Sequence, residues 1–250
     1  MLNGGKVEPI QTPITGKKLR CGRAAAIVGA GKGLSAAMAR RLTSEGFDVA
    51  LVARNTEKLA GLVQETGART YQGDASDPAT VESIFARLDR ELGPLELVVF
   101  NAADRYRGPI NELEPAKVFD AYRITAFAGF LTAQAAAKRM IAQGSGSIFL
   151  TGATASIKAL PQSVPFSMPK FALRALAQAL ARELGPKNIH VAHFVLDGGL
   201  ATGWADQGGS GPADKWLDPD AVVQTYLQVH RQHRSAWSWE IELRPWVETF

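Results

Sequence analysis

Cysteine is nearly absent: the 250 residues contain one, Cys21. A single thiol excludes an intramolecular disulfide and leaves no cysteine-rich zinc pattern, so no metal site is expected and a reducing, cytoplasmic setting fits. Long hydrophobic runs are missing as well. No apolar stretch approaches the span of a bilayer, and the mean hydropathy of -0.05 argues against a membrane protein. The opening segment, MLNGGKVEPIQTPITGKKLR, lacks the hydrophobic stretch of a secretory signal. Its prolines and glycines read as an N-terminal extension over residues 1–22. Charge of one sign is not in excess either: 28 Lys and Arg against 24 Asp and Glu leave a net +4. That surplus is too small to point to nucleic acid, and the basic cluster Lys17, Lys18, Arg20 and Arg23 reads as a solvated tail. There is no linker-like stretch and no repeat of 20–50 residues, so residues 23–250 are expected to form a single domain.

What the chain does have is concentrated in residues 24–54, AAAIVGAGKGLSAAMARRLTSEGFDVALVAR. The order is strand, glycine-rich turn, helix, strand, the first half of a dinucleotide-binding βαβ unit. Ala24 to Val28 is an unbroken apolar run, as in a parallel strand buried on both faces. Gly29, Gly31 and Gly33 crowd the turn, where unpaired helix N–H groups and the positive dipole end suit a pyrophosphate. Leu34, Met38 and Leu42 then give the helix one apolar stripe. The second strand, residues 47–53, ends at Arg54.

Further along, residues 55–67 read as a helix and 68–74 as a short third strand. Asp77-Pro78 opens a helix that Gly93-Pro94 stops, and the fourth strand, 95–100, runs into Asn101-Ala102-Ala103. Residues 112–143 read as a loop entry and one long helix, 147–151 as the fifth strand, and 165–184 as another helix. The sixth strand covers 189–196, and a glycine-rich stretch follows, a substrate loop around residues 197–217. Asp218-Pro219 caps a last helix. Trp237, Trp239, Ile241 and Leu243 alternate with polar residues as in a terminal strand with one buried face. The expected fold class is therefore α/β: a Rossmann-type, doubly wound parallel sheet of about seven strands with helices on both faces. In such a sheet ligands sit at the carboxyl ends of the strands, near the reversal of strand order.

Several of these strand-end positions resemble the short-chain dehydrogenase/reductase family, over most of the chain from Ala24 to Thr202. Gly29-Ala30-Gly31-Lys32-Gly33-Leu34-Ser35 is similar to its GxxxGxG loop, with serine in the last glycine place. Asn101-Ala102-Ala103 resembles its NAG motif, and Asp197-Gly198-Gly199-Leu200-Ala201-Thr202 its PG-x-V-x-T turn. The resemblance implies that Asp74 contacts adenine and Thr202 the nicotinamide carboxamide. Gly29, Gly33, Leu34, Asn101 and Ala102 are then cofactor-binding positions. A free ribose hydroxyl calls for a carboxylate after the second strand, and a 2′-phosphate for cations. Arg54 stands there, and Lys32 adds a cation in the glycine loop. Both could be solvated surface charges, but each occupies a ligand-facing place, so NADP(H) is expected over NAD(H). Relatives pair as dimers or tetramers, which implies a homo-oligomer acting on a small-molecule substrate.

The family's chemistry uses a tyrosine acid, a lysine four residues on, an upstream serine and a helical asparagine. Hydride addition to a carbonyl leaves an alkoxide that must be protonated and stabilised as it forms. Here the tyrosine place is Phe166, the serine place Ala153 and the asparagine place Thr125; Lys170 alone survives. Lys170 is read mainly as a ligand of the cofactor ribose, and Pro169 as tolerable only if its helix starts late. Thr151, Thr154 and Ser156 are possible hydrogen-bond donors, Ser167 lies one helical step off the face, and a water on Lys170 could replace the phenol. Tyr106, Tyr122, His190 and His193 read as structural. Trp237 and Trp239 read as core or subunit contacts. Two functions follow: an NADP(H)-dependent oxidoreductase with an altered site, acting on a carbonyl, enone or quinone-like molecule, or a non-catalytic NADP(H)-binding sensor or partner subunit.

Overall fold

The computed structural model describes residues 23–201 and 215–248. Its centre is one sheet of seven parallel strands, β1 (Arg23–Val28), β2 (Phe47–Ala53), β3 (Arg69–Gln72), β4 (Leu95–Phe100), β5 (Gly146–Thr151), β6 (Ile189–Leu196) and β7 (Glu240–Leu243), in the order β3-β2-β1-β4-β5-β6-β7. The order reverses between β1 and β4, which opens the crevice where a ligand can lie across both halves. The central strands β1, β4 and β6 are buried except at Arg23 and Glu96 near the amino edge, because each is covered on both faces.

The covering layers are helical. On one face α1 (Leu34–Ser44), α2 (Ala60–Thr66) and α7 (Pro219–His230) share a core with Ile27, Leu51, Val99 and Phe194. On the other, α3 (Pro78–Glu91), α5 (Ala128–Gln143) and α6 (Val164–Leu184) pack on Val28, Val98, Phe100 and Leu150. α4 (Pro115–Tyr122) lies against α6. Asp77 caps α3 through the Thr80 N–H, and Asp218 caps α7 through the N–H groups of Asp220 and Ala221.

Three departures from the sequence reading have local causes. The expected single long helix is α4 and α5 joined by a π-helical turn over Arg123–Phe127, and Thr125 sits in that turn. α6 does not start late: it begins at Val164 and runs through Pro169. Only the Pro165 carbonyl loses its partner there, near the helix start, so the proline is accommodated without a break. The last strand is confined to Glu240–Leu243, where Ile241 and Leu243 pack half-buried against the core and Glu242 is exposed. Trp237 instead stacks on His190, with ring centroids 4.7 Å apart and planes within 3°. The N-terminal extension and most of the substrate loop, including Thr202, lie outside the described residues. The two ends of that loop pair: the Ala201 N–H donates to the Leu217 carbonyl, and the Leu217 N–H to that of Gly199, both at 2.8 Å.

Candidate active site

Two cavities open at the carboxyl edge of the sheet. The smaller, about 220 Å³, lies at the crossover and is lined by Gly29, Arg54, Asp74, Asn101, Ala102 and Ile124, among others. The larger, about 620 Å³, runs from Gly31, Gly33 and Leu34 past Asn101 to Ala153, Phe166 and Lys170. Nearly all the positions expected to hold a cofactor are thus brought together. Lys32 lines neither cavity. It stands exposed between Gly31 and Gly33, which do.

The glycine turn is built to stay open. The N–H groups of Gly29 and Ala30 both donate to the Val52 carbonyl, at 3.0 and 2.9 Å, tying the turn to β2. Gly29 has φ +85°, and a Cβ there would come within 2.4 Å of the Ala102 backbone, so only glycine fits. Ser35 does more than replace a small glycine: its hydroxyl donates to the Gly29 carbonyl at 3.3 Å and accepts from Asn101 Nδ2 at 2.8 Å. No side chain caps α1 and no acid occupies its first turn, so its N–H donors and positive end face the larger cavity. A Cβ on Gly31, which lines the larger cavity, would meet nothing within 4 Å.

Asp74 lines the smaller cavity with its carboxylate already held. It accepts from the Ser76 N–H at 2.9 Å and hydroxyl at 2.6 Å, and pairs with Arg123 at 3.2 Å. Burial pushes its pKa up, but Ser76 and Arg123 outweigh that and leave it below the usual carboxylate range. Arg123 was not singled out by sequence because it belongs to the π-helical turn, which no local pattern announces.

At the reacting end, Phe166 and Lys170 share a helix face, with Nζ 6.0 Å from the ring centroid. The Lys170 ammonium is buried and donates to the Thr151 carbonyl at 2.7 Å. Burial first, and the charge of Arg105 second, push its pKa down to about 7. The neighbouring hydroxyls are engaged elsewhere. Thr151 Oγ1 is bonded to the Tyr226 hydroxyl at 3.0 Å, Thr154 donates to Asp197 at 2.5 Å, and Ser156 Oγ takes the Ala153 N–H at 3.1 Å. Ser167 lines the larger cavity and pairs with Ser163 at 2.7 Å. Thr125 is fully buried and accepts the Asp104 N–H at 3.1 Å, so it anchors the loop after β4. Tyr106 accepts from the Glu114 N–H at 3.1 Å, and His190 bonds the Ser238 carbonyl at 2.8 Å; both are structural. His193 lies under the site, bonded through Nδ1 to Glu240 at 3.1 Å, and burial drives its pKa down to about 4.

The larger cavity also contains residues that the sequence reading passed over: Arg105, Arg107, Lys158, Trp216 and Glu248. Arg105 and Arg107 come two and four residues after Asn101-Ala102-Ala103, and that nearness to a strand-end motif was the available signal.

The short chain dehydrogenase family model matches residues 23–208, the span that builds the smaller cavity and most of the larger one. This chain belongs to that family. A 2,3-dihydro-2,3-dihydroxybenzoate dehydrogenase of Bacillus subtilis is 29% identical over 199 residues, 76% of each chain. An L-xylulose reductase of Mus musculus is 30% identical over 218 residues, 82% of this chain and 88% of its own. The crystal structure of a short-chain dehydrogenase from Rhodopseudomonas palustris matches with a TM-score of 0.79 at 36% identity, covering 90% of this chain and 99% of that one. As a short-chain dehydrogenase, the chain is an oxidoreductase with a Rossmann-type sheet. Among the described residues no helix is long and apolar enough to cross a membrane, and no cluster of side chains could hold a metal ion.

Proposed function

We propose that this short-chain dehydrogenase is an NADP(H)-dependent oxidoreductase with an altered site, moving a hydride to or from a carbonyl, enone or quinone-like small molecule, and that it works as a homo-dimer or homo-tetramer. The observation that carries the cofactor choice is Arg54. It lines the smaller cavity at the end of β2, where no carboxylate stands, while the charge of Asp74 is taken up by Arg123. An exposed guanidinium there suits a 2′-phosphate, and Lys32, exposed in the glycine turn, is the second cation of this reading. The uncapped α1 and the open space at Gly31 suit a pyrophosphate. Lys170 would meet the ribose. The nicotinamide supplies the hydride when the cofactor is bound.

What remains for the protein is to position the acceptor and manage its oxygen. Phe166 offers an apolar face and no proton. An alkoxide needs that proton at once, because its conjugate acid is about as weak as water, pKa about 15.7. The oxygen of a reduced quinone is phenol-like, with a pKa of about 10, and can take its proton from solvent later. Activated acceptors therefore fit this site better than simple ketones. The engagement of the hydroxyls of Thr151 and Thr154 favours the second reading, a protein that binds NADP(H) without turnover.

Calorimetric titration with NADPH and NADH, followed by absorbance of the reduced nicotinamide against carbonyls, enones and quinones, tests both. NADPH should bind more tightly. Arg54→Ala should weaken NADPH by about tenfold, roughly one charge-assisted contact, and leave NADH within about twofold. Binding without consumption of any acceptor selects the second reading, and absence of binding overturns both.

A further inference from the structure

The acceptor end of the larger cavity carries more positive charge than a hydride transfer requires. Arg105, Arg107 and Lys158 line it together with the buried Lys170, and the only lining carboxylate among the described residues is Glu248. Arg105, Arg107 and Lys158 are exposed and have no ion-pair partner among the described residues. Elsewhere the arginines of this chain are mostly paired: Arg139 with Glu82 and Asp89, Arg174 with Glu240, Arg123 with Asp74 and Asp120. Like charges gathered unpaired around one cavity repel each other, a cost that an anion between them removes.

The loop that presents them is held in place. At one end the Asp104 N–H is fixed to Thr125, and the Asp104 carboxylate turns back to accept the Tyr106 N–H at 3.0 Å. At the other the Gly108 N–H donates to the Gln162 carbonyl at 3.0 Å. Tyr106, between the two arginines, points to α4 instead, where its hydroxyl meets the Glu114 N–H and its ring lies under Lys117. Arg107 is set over the Phe166 ring with 5.3 Å to the centroid, so its guanidinium stands beside the reacting position itself. The Thr125 hydroxyl, in the place of the expected asparagine, serves as the peg for this loop.

We propose that Arg105, Arg107 and Lys158 form an anion clamp, so that the acceptor of this enzyme is a small organic anion bearing a carboxylate or phosphate group. The clamp rests on reading the larger cavity as the acceptor site. Planar guanidinium groups match both oxyanions through paired N–H donors, and a lysine adds a point charge.

Calorimetry with isophthalate, phenyl phosphate and uncharged isophthalamide, on the protein with and without saturating NADP, tests the clamp apart from turnover. At least one anion should bind about tenfold or more tightly than the amide, one charge-assisted contact's worth, and lose affinity as salt rises. The stronger of the two anions names the group. Arg107→Gln should remove most of that preference, and Arg105→Gln and Lys158→Gln part of it, with melting temperature and NADPH affinity held. Equal binding of anion and amide, no measurable anion binding in either form, or complete displacement of the anion by NADP would each overturn the clamp. Anion binding in the absence of any NADP affinity would instead uphold the clamp and sink only the cofactor reading.

Discussion

Phe166 lies between two cations, Arg107 over its ring and Lys170 one helical turn on, so its missing hydroxyl is a vacancy in hydrogen bonding rather than in packing. Phe166→Tyr is expected to gain reduction of a simple aldehyde by about 100-fold, within the range a positioned acid supplies. The check is NADPH oxidation by the folded, cofactor-binding variant, and no gain there would mean that Lys170 is not placed to support a phenol. His193 makes a second prediction at this scale. Its ring is buried and neutral, Nδ1 donates to Glu240, which also holds Arg174, and Nε2 faces Gly152 with no hydrogen-bond partner among the described residues. With a folded pKa of about 4 against 6.5 unfolded, the unfolded chain takes up the proton first as pH falls. Stability is therefore present above about pH 6.5 and declines toward pH 4, by about 2 kcal/mol between pH 7 and 5. His190 and His230 are lowered by burial too and act in the same direction. Urea midpoints at the two pH values should fall less steeply for His193→Gln, and an unchanged slope would exclude His193 as a source.

Among the elements, the turn between β1 and α1 separates folding from binding within three residues. Gly29 is held at a positive φ against the Ala102 backbone, whereas Gly31 faces open space. Gly29→Ala should cost a few kcal/mol of stability, from strain and overlap with Ala102. Gly31→Ala should leave the melting temperature unchanged and still weaken NADPH, because Gly31 lines the larger cavity beside Gly33 and Leu34 at the start of α1. Thermal melts paired with nucleotide titration distinguish the two. If Gly31→Ala bound NADPH as well as the parent, the pyrophosphate would have to lie elsewhere. These elements were legible in the sequence because a buried parallel strand, a glycine turn and an amphipathic helix are local patterns. The π-helical turn was not, since the phase shift made by one extra residue cannot be seen in a segment whose residues are small or apolar on most faces, and neither was the run of α6 through Pro169.

For the whole molecule, the helical layer of α4, α5 and α6 leaves large apolar side chains in water: Phe119 is 66% exposed, Met168 53%, Phe130 41% and Phe171 40%. Exposed aromatics on helices that pack together are what a subunit contact would cover. The proposed homo-oligomer is accordingly assigned to this layer. Light scattering on the purified protein should give a dimer or tetramer, and Phe119→Glu with Phe130→Glu should shift it to monomer. A monomeric parent would refute the assignment.

Sequence alone determined the α/β class, the strand boundaries of β2, β4 and β6 and the glycine turn, because each is written in residues adjacent along the chain. Tertiary structure decided which of the candidate groups face the site. The hydroxyls of Thr151, Thr154 and Ser156 are near Ala153 in sequence, yet each is claimed by a partner from another element or by its own turn. Arg123 neutralises Asp74 from 49 residues away. Arg105, Arg107 and Lys158 come from loops after different strands and meet only across the finished cavity. Hydrogen-bond partners and charge clusters depend on distances that folding sets, and no pattern of neighbours along the chain contains them.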